Sequence, residues 1–202
     1  IDAALEQQLR VKINCVPCVE MNGDDLEGIA MLAEDRPVDV RFIELMPIGC
    51  GKDYTGISSE EILRRLERRF GAAIAVPGKS PLAAAGREAD PYEETDGPAE
   101  YYQFPGFSGR IGFISPISHK FCRECNRVRL TCEGRLKLCL HYDRGLELKP
   151  LLRGGASDEE IGRQIINALK EKPSEHHFRE RTAGEELPDG VEEQRKMVQI
   201  GG

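Results

Sequence analysis

Three cysteines in the second half of the chain have the spacing of a metal-binding site. Cys122 and Cys125 form a C-x2-C pair, and Cys139 follows in the same stretch, KFCRECNRVRLTCEGRLKLCLHYD. Two thiolates at this spacing can bind one metal or cluster from a tight turn, and a third from a nearby strand can complete a three-point site. The spacing alone leaves two alternatives open, a structural zinc knuckle and a metal centre that binds a further ligand.

The segment around these cysteines is strongly basic. From Lys120 to Cys139 its carboxylates are Glu124 and Glu133, and they are outnumbered by the cations Lys120, Arg123, Arg127, Arg129, Arg135 and Lys137. Guanidinium groups bind phosphate through paired hydrogen bonds. A thiolate site beside guanidinium groups therefore favours a metal centre that meets an anion such as phosphate.

The composition limits the class of protein. The chain has 202 residues with 40% apolar and 31% charged residues, which is typical of a globular domain with a buried core. Its N-terminal stretch lacks the layout of a signal peptide and no apolar run is long enough to span a membrane, so we expect a cytoplasmic protein. Seven cysteines without a secretory signal favour metal or free thiols over disulfides. A net charge of −7 argues against general nucleic-acid binding, so the basic segment should meet a small partner.

The elements that position these residues follow an α/β pattern. Apolar periodicity predicts a helix over 1–8, a strand over 10–16, a helix over 24–34 and a strand over 38–45. A strand, helix and strand within about 35 residues form a βαβ unit with a right-handed crossover. The first part of the chain therefore belongs to a parallel sheet or barrel, and ligands bind in the loops at the carboxyl ends of such strands.

The second half changes period from helices to strands. Ser58 and Glu61 form a capping box that begins a helix over 58–70, and Gly71 ends it. We divide the chain into a barrel portion over 1–71, a mobile loop over 72–98 and a C-terminal region over 99–202. That region is predicted to contain a hairpin over 99–116, short strands near 127–131 and 135–140, a helical turn over 148–153 and a helix over 157–172.

Four stretches of the sequence carry a resemblance to a known family: VKINCV, VRFIELMPIG, FISPISHKFCRECNRVRLTCEGRLKLCL and the terminal M-x-x-I-G-G. They are similar to the C-terminal part of the GTP 3',8-cyclases, radical S-adenosylmethionine enzymes of molybdenum cofactor biosynthesis. The resemblance implies an α/β fold in which the last βα units of an incomplete TIM-like barrel precede an α+β cluster-binding region. The family's N-terminal C-x3-C-x2-C loop is absent, so the radical-generating half is expected upstream or in another polypeptide.

The resemblance also implies a cofactor. Cys122, Cys125 and Cys139 correspond to three ligands of a [4Fe–4S] cluster whose fourth iron stays open for the guanine of GTP. The alternative is zinc with Cys132 or His141 as fourth ligand. A degenerate scaffold without catalysis is a third possibility, which the intact cysteines and arginines oppose.

The remaining site residues are assigned in the same way. The resemblance implies GTP contacts from Lys12, Arg41, Arg127, Val128 and Arg129, an S-adenosylmethionine contact from Met46, and a catalytic diglycine tail, Gly201 and Gly202, that reaches the substrate. Independently of the resemblance, burying a lone cation in a parallel strand costs folding free energy unless the cation is paired or faces a cavity. Lys12 and Arg41 are such cations, and two arginines at i and i+2, such as Arg127 and Arg129, share one face of a strand.

Other conspicuous residues receive ordinary interpretations. Cys15, Cys18, Cys50 and Cys132 are expected to be small apolar thiols, and His176-His177 a surface turn after Pro173. We expect the isolated chain to be inactive and to associate through an open sheet edge, whereas the complete enzyme binds S-adenosylmethionine and could form a homodimer.

Overall fold

A computed structural model of the chain describes residues 1–76, 98–178, 193–195 and 197–200. They form two compact units, one from Ile1–Leu45 with Tyr54–His119 and one from Met46–Asp53 with the residues after His119. The architecture is mixed α/β, which confirms the predicted class. Within the described ranges, no helix has the length and apolarity to cross a membrane.

The first unit is built on one mixed sheet. Its strands are β1 (Lys12–Cys15), β2 (Asp39–Ile43), β3 (Ile74–Val76), β4 (Glu100–Gln103) and β5 (Arg110–Ile114), in the spatial order β1-β2-β5-β4-β3. β1, β2 and β5 are parallel, as predicted for the βαβ unit, whereas β4 pairs antiparallel with both β5 and β3. The predicted hairpin is thus confirmed as β4 and β5.

The sheet differs from the predicted division of the chain in two places. β4 and β5 were expected in the C-terminal region, but β5 pairs with β2 and completes the sheet of the first unit. β3 lies inside the stretch expected to be a loop, and the rest of that loop falls almost entirely outside the described residues. Both differences arise because strand pairing joins segments that are distant in sequence.

Short helices precede and connect the strands. They are α1 (Asp2–Glu6), α2 (Val19–Asn22), α3 (Leu26–Ala30), which continues as a 3-10 turn over Met31–Ala33, and α4 (Ser59–Phe70). The predicted helix over 24–34 is therefore shorter and ends in a tighter turn. α4 matches its prediction, since the Ser58 side chain accepts a hydrogen bond from the Glu61 amide at 3.3 Å and Gly71, at φ 93°, ends the helix.

The sheet has one apolar and one polar face. Val40, Phe42, Ile111 and Phe113 join the hydrophobic core together with residues of α3 and α4. Because side chains alternate along a strand and paired residues share a face, the residues between them lie on the opposite face. We call this the polar face; it carries Lys12, Asn14, Asp39, Arg41, Arg110 and Gly112.

The second unit contains a small antiparallel sheet with two helices. The elements are β6 (Arg129–Leu130), β7 (Arg135–Lys137), β8 (Gly145–Glu147), α5 (Leu148–Arg153) and α6 (Asp158–Lys170), and the strand order is β6-β7-β8. The predicted strands are present but shorter. Gly134, at φ 84°, makes the turn between β6 and β7, a conformation that glycine adopts without strain. 3-10 turns at Gly49–Asp53, Cys122–Glu124 and Met197–Gln199 complete the unit.

Candidate functional site

The three predicted cysteine ligands lie in the second unit. Cys122 begins a 3-10 turn that the Cys125 amide closes onto the Cys122 carbonyl at 3.1 Å, and Cys139 follows β7. All three are free, partly buried thiols. Burial raises the pKa of the Cys122 thiol, and the neighbouring Cys139 and Cys125 raise it further. The structure therefore places Cys122 within electrostatic range of both Cys139 and Cys125.

Within the described ranges, no three His, Cys, Asp or Glu side chains are placed to hold a metal ion. Thiolates around one zinc lie about 2.3 Å from the metal and hence under about 4 Å from each other. The choice between a [4Fe–4S] cluster and zinc therefore rests on the family motifs around the cysteines and not on the placement of their thiols.

The two candidate fourth ligands of a zinc ion differ in their surroundings. Cys132 is exposed. The buried His141 ring lies among aromatic rings, with centroids 4.3 Å from Phe178 and 4.4 Å from Tyr142.

Two arginines lie next to the cysteine turn. Burial lowers the pKa of Arg129, and the charge of Arg127 lowers it further, so the two guanidinium groups are close. Arg127 precedes β6 instead of lying in it, and its guanidinium lies 5.5 Å from the centroid of the Phe121 ring. Val128 between them is exposed. Arg127 is exposed and Arg129 is partly buried. Two neighbouring cations that repel each other are stabilised by a shared anion.

The segment 172–178 packs against the cysteine turn. Glu175 forms an ion pair with Lys120 at 3.3 Å, and Lys172 donates a hydrogen bond to the Arg127 carbonyl. A backbone hydrogen bond from His176 lowers the pKa of the Cys122 thiol, opposing the larger effect of burial. His176 is buried, so the predicted surface turn is wrong at this residue. The pattern that could have revealed it is the run of three aromatic rings, His176, His177 and Phe178.

Lys12 and Arg41 lie on the polar face of the first unit. Both are partly buried, and Arg41 donates a hydrogen bond from Nε to Oδ1 of Asn14 at 2.8 Å. On the same face Arg110 binds Asp39 through two hydrogen bonds, of 2.9 and 2.8 Å. The two predicted cations therefore point away from the helix-covered core.

Sequence reasoning missed Glu44 at the carboxyl end of β2. Its buried carboxylate accepts hydrogen bonds from the amides of Ile117 and Ser118 at 2.9 and 2.8 Å and from the Ser118 hydroxyl. The Ser59 amide at the start of α4 donates at 3.3 Å. Burial would raise the pKa of Glu44, but these hydrogen bonds outweigh it and lower the pKa. Glu44 thus joins β2, the loop after β5 and α4, which no local sequence pattern indicates.

The other predicted residues are placed as follows. Met46 is partly buried in the second unit, and Gly201 and Gly202 lie outside the described residues. Cys15 and Cys18 are buried free thiols, as predicted, whereas Cys50 and Cys132 are exposed.

The chain is similar in sequence to one protein family and to several curated GTP 3',8-cyclases. The profile of the family Molybdenum Cofactor Synthesis C matches residues 38–178. The chain is 38% identical over 202 residues to GTP 3',8-cyclase of Clostridium perfringens (strain 13 / Type A), covering 100% of the chain and 56% of that relative. It is 40% identical over 209 residues to GTP 3',8-cyclase of Desulforamulus reducens, with the same coverage. It is 39% identical over 203 residues to the Syntrophomonas wolfei protein of that name, covering 98% and 56%.

These matches concern one part of each relative. The chain spans about half the length of the curated relatives it matches, 56% in each of the three. The matched part is their C-terminal part.

Proposed function

The chain belongs to the Molybdenum Cofactor Synthesis C family, and from this we propose that it is the substrate-binding part of a GTP 3',8-cyclase. The reaction converts GTP to 3',8-cyclo-7,8-dihydro-GTP by radical S-adenosylmethionine chemistry in molybdenum cofactor biosynthesis. The observation that carries the proposal is the group of three neighbouring, partly buried thiols beside two mutually repelling arginines.

In this proposal the second unit holds the nucleotide base and part of the triphosphate. Cys122, Cys125 and Cys139 would hold a [4Fe–4S] cluster, which when bound supplies an open iron for an atom of the guanine. Arg127 and Arg129 would bind phosphate oxygens, and their mutual repulsion would be relieved by the anion. The exposed segment at Val128 would lie along the nucleotide. The protein's part in catalysis is to bind and orient GTP and to exclude water.

The first unit would supply further phosphate contacts. β1, β2 and β5 correspond in this proposal to the last βα units of an incomplete barrel, with the polar face as its interior. Lys12 and Arg41 on that face would bind the triphosphate of GTP. Met46 would contact S-adenosylmethionine, and Gly201 and Gly202 would approach the substrate closely because they lack Cβ atoms.

The part of the relatives' length that this chain does not span would supply the radical, in the same polypeptide or in another. Cleavage of S-adenosylmethionine needs a second cluster, for which the described residues offer no C-x3-C-x2-C loop. In this proposal the enzyme is cytoplasmic, and the present chain alone binds GTP weakly. An anaerobic assay of this chain with GTP, S-adenosylmethionine and reductant should give no cyclised product, and product formation would contradict the proposed division of labour.

Metal analysis tests the cluster directly. After anaerobic reconstitution with iron and sulfide, the protein should contain both and should absorb in the visible range. Cys139→Ser should lose most of the iron, whereas Cys132→Ser should retain it, because Cys132 would be a ligand only of zinc. Zinc instead of iron, or metal loss in Cys132→Ser, would support a zinc knuckle. A cluster spectrum that ignores added GTP would contradict the substrate role.

A further inference from the structure

The polar face carries one side-chain contact that the proposed function leaves unexplained. Arg41 in β2 donates a hydrogen bond from Nε to Oδ1 of Asn14 in β1 at 2.8 Å. The parallel register places the two residues opposite each other. We propose that Asn14 is a positioning residue that orients the Arg41 guanidinium toward a phosphate group of the nucleotide. This inference rests on the proposed role of Arg41 in binding GTP.

The geometry of the Arg41 guanidinium determines which of its N–H donors remain for a phosphate group. Arginine has five N–H donors in a rigid planar fork. Asn14 occupies the donor on Nε and is the polar side chain that Arg41 contacts in the part of the chain that the structure describes. The two terminal nitrogens therefore keep their four N–H groups. Their paired donors match two oxygens of one phosphate.

The neutral partner preserves the positive charge. In the neighbouring strand β5, Arg110 is bound through both Nε and Nη2 to the carboxylate of Asp39. That ion pair cancels the charge of the arginine. The Asn14 amide holds Arg41 through one hydrogen bond and leaves the positive charge of Arg41 in place. An aspartate at position 14 would orient Arg41 equally well but would repel a triphosphate.

The other side of Arg41 is bounded by the backbone. Gly112 of β5 is its register partner on that side. A Cβ atom at Gly112 would lie 3.1 Å from Cγ of Arg41 and 2.9 Å from Cε1 of Tyr101. The stem of Arg41 therefore lies between Asn14 and a close strand. A side chain confined in this way loses less freedom when it binds a ligand, which favours binding.

A double-mutant cycle in the full-length protein tests the inference. Anaerobic titration with GTP would compare the wild type with Arg41→Ala, Asn14→Ala and the double variant. Arg41→Ala should weaken binding about tenfold or more, because it removes hydrogen bonds to a charged group. Asn14→Ala should weaken it about three- to tenfold. The double variant should bind no more weakly than Arg41→Ala, since Asn14 acts only through Arg41.

Two controls define the outcomes. Asn167→Ala removes another asparagine whose amide oxygen accepts from a cation, Lys170 at 3.3 Å in α6, and should leave GTP binding unchanged. Guanosine binding should be unaffected by Asn14→Ala, because guanosine has no phosphate. If Arg41→Ala does not weaken GTP binding, the proposed role of Arg41 is overturned. If Arg41→Ala weakens it but Asn14→Ala does not, or the two losses add, the positioning role alone is overturned.

Discussion

Two arginines on the polar face differ in their electrostatic surroundings. Arg110 is 2% exposed, forms paired hydrogen bonds with Asp39 and lies 4.1 Å from the centroid of the Tyr101 ring. Asp39 also meets Arg10 at 3.3 Å. This cluster lies at the start of β2 and β5, the end of parallel strands that usually serves stability. Arg41, two residues beyond Asp39 and so nearer the ligand-binding end, has a neutral partner.

Removal of Arg110 should destabilise the fold. Arg110→Ala leaves the buried Asp39 carboxylate without its main partner, so the free energy of unfolding should fall by about 3–5 kcal/mol. Urea denaturation measures this change. Arg36→Ala is the matched control, because Arg36 pairs with Asp2 at 3.0 Å on the surface and should cost at most about 1 kcal/mol. Equal losses of unfolding free energy in the two variants would show that the buried ion pair stabilises the fold no more than the surface pair does.

The Glu193 carboxyl predicts a pH dependence of stability. It is buried against Lys137, and although burial raises its pKa, hydrogen bonds from Arg195 and Lys137 lower the pKa to about 2. In the unfolded chain a glutamate has a pKa of about 4.3. Protonation therefore favours the unfolded state: the stabilisation by Glu193 is complete above about pH 5 and is lost as the pH falls toward 2.

Comparison with Glu193→Gln isolates this effect. The difference in unfolding free energy between wild type and variant should be largest near neutral pH and should shrink below about pH 5. Urea denaturation at a series of pH values measures it. A difference that stays constant down to pH 3 would contradict the assigned ionisation.

At the level of elements, the segment 172–178 supports the cysteine turn from outside. It contacts the turn at Lys120 and at Arg127, on both sides of Cys122 and Cys125. α6 ends just before this segment, so the helix sets where it starts. Groups that hydrogen-bond to metal ligands fix their orientation and tune the metal. In the proposed cluster site this segment would therefore orient the cysteine ligands from outside.

Replacement of His176 tests this support. His176→Pro removes the backbone N–H that bonds the Cys122 sulfur, whereas His176→Ala keeps it, and both lose the ring. In reconstituted protein challenged with a chelator, His176→Pro should lose iron about tenfold faster than His176→Ala. Atomic absorption measures the retained iron. Equal rates in the two variants would limit the segment to a packing role.

At the level of the whole molecule, β1 forms one edge of the sheet in the part of the first unit that the structure describes. The apolar side chains of Leu9 and Val16 beside it are 58% and 44% exposed. A terminal parallel strand with exposed apolar flanks favours pairing with another chain. In the proposed enzyme this edge would adjoin the rest of the barrel.

The isolated chain should therefore self-associate through this edge. Size-exclusion chromatography should show elution that shifts with concentration, and Val16→Lys should move the equilibrium toward monomer because a charge disfavours edge pairing. Leu152→Lys is a control, since Leu152 is an exposed residue of α5, which belongs to the second unit. A concentration-independent monomer would contradict the prediction.

Local signals in the sequence determined the candidate cysteine ligands and most of the helices and strands of the first unit. The spacing of Cys122, Cys125 and Cys139 and the family motifs around them identified the candidate ligands. The capping box at Ser58 predicted α4, and apolar runs predicted β1, β2, β4 and β5. These features depend on neighbours a few residues apart, so periodicity and spacing reveal them.

Only the tertiary structure decided how distant segments meet. The register of β1 and β2 sets Asn14 against Arg41, the fold buries His176 beside the cysteine turn, and Glu193 reaches Lys137 across 56 positions. The sheet also extends past the predicted boundary at residue 99, because β5 returns to pair with β2. Such contacts depend on the chain's path through space, for which local spacing carries no signal.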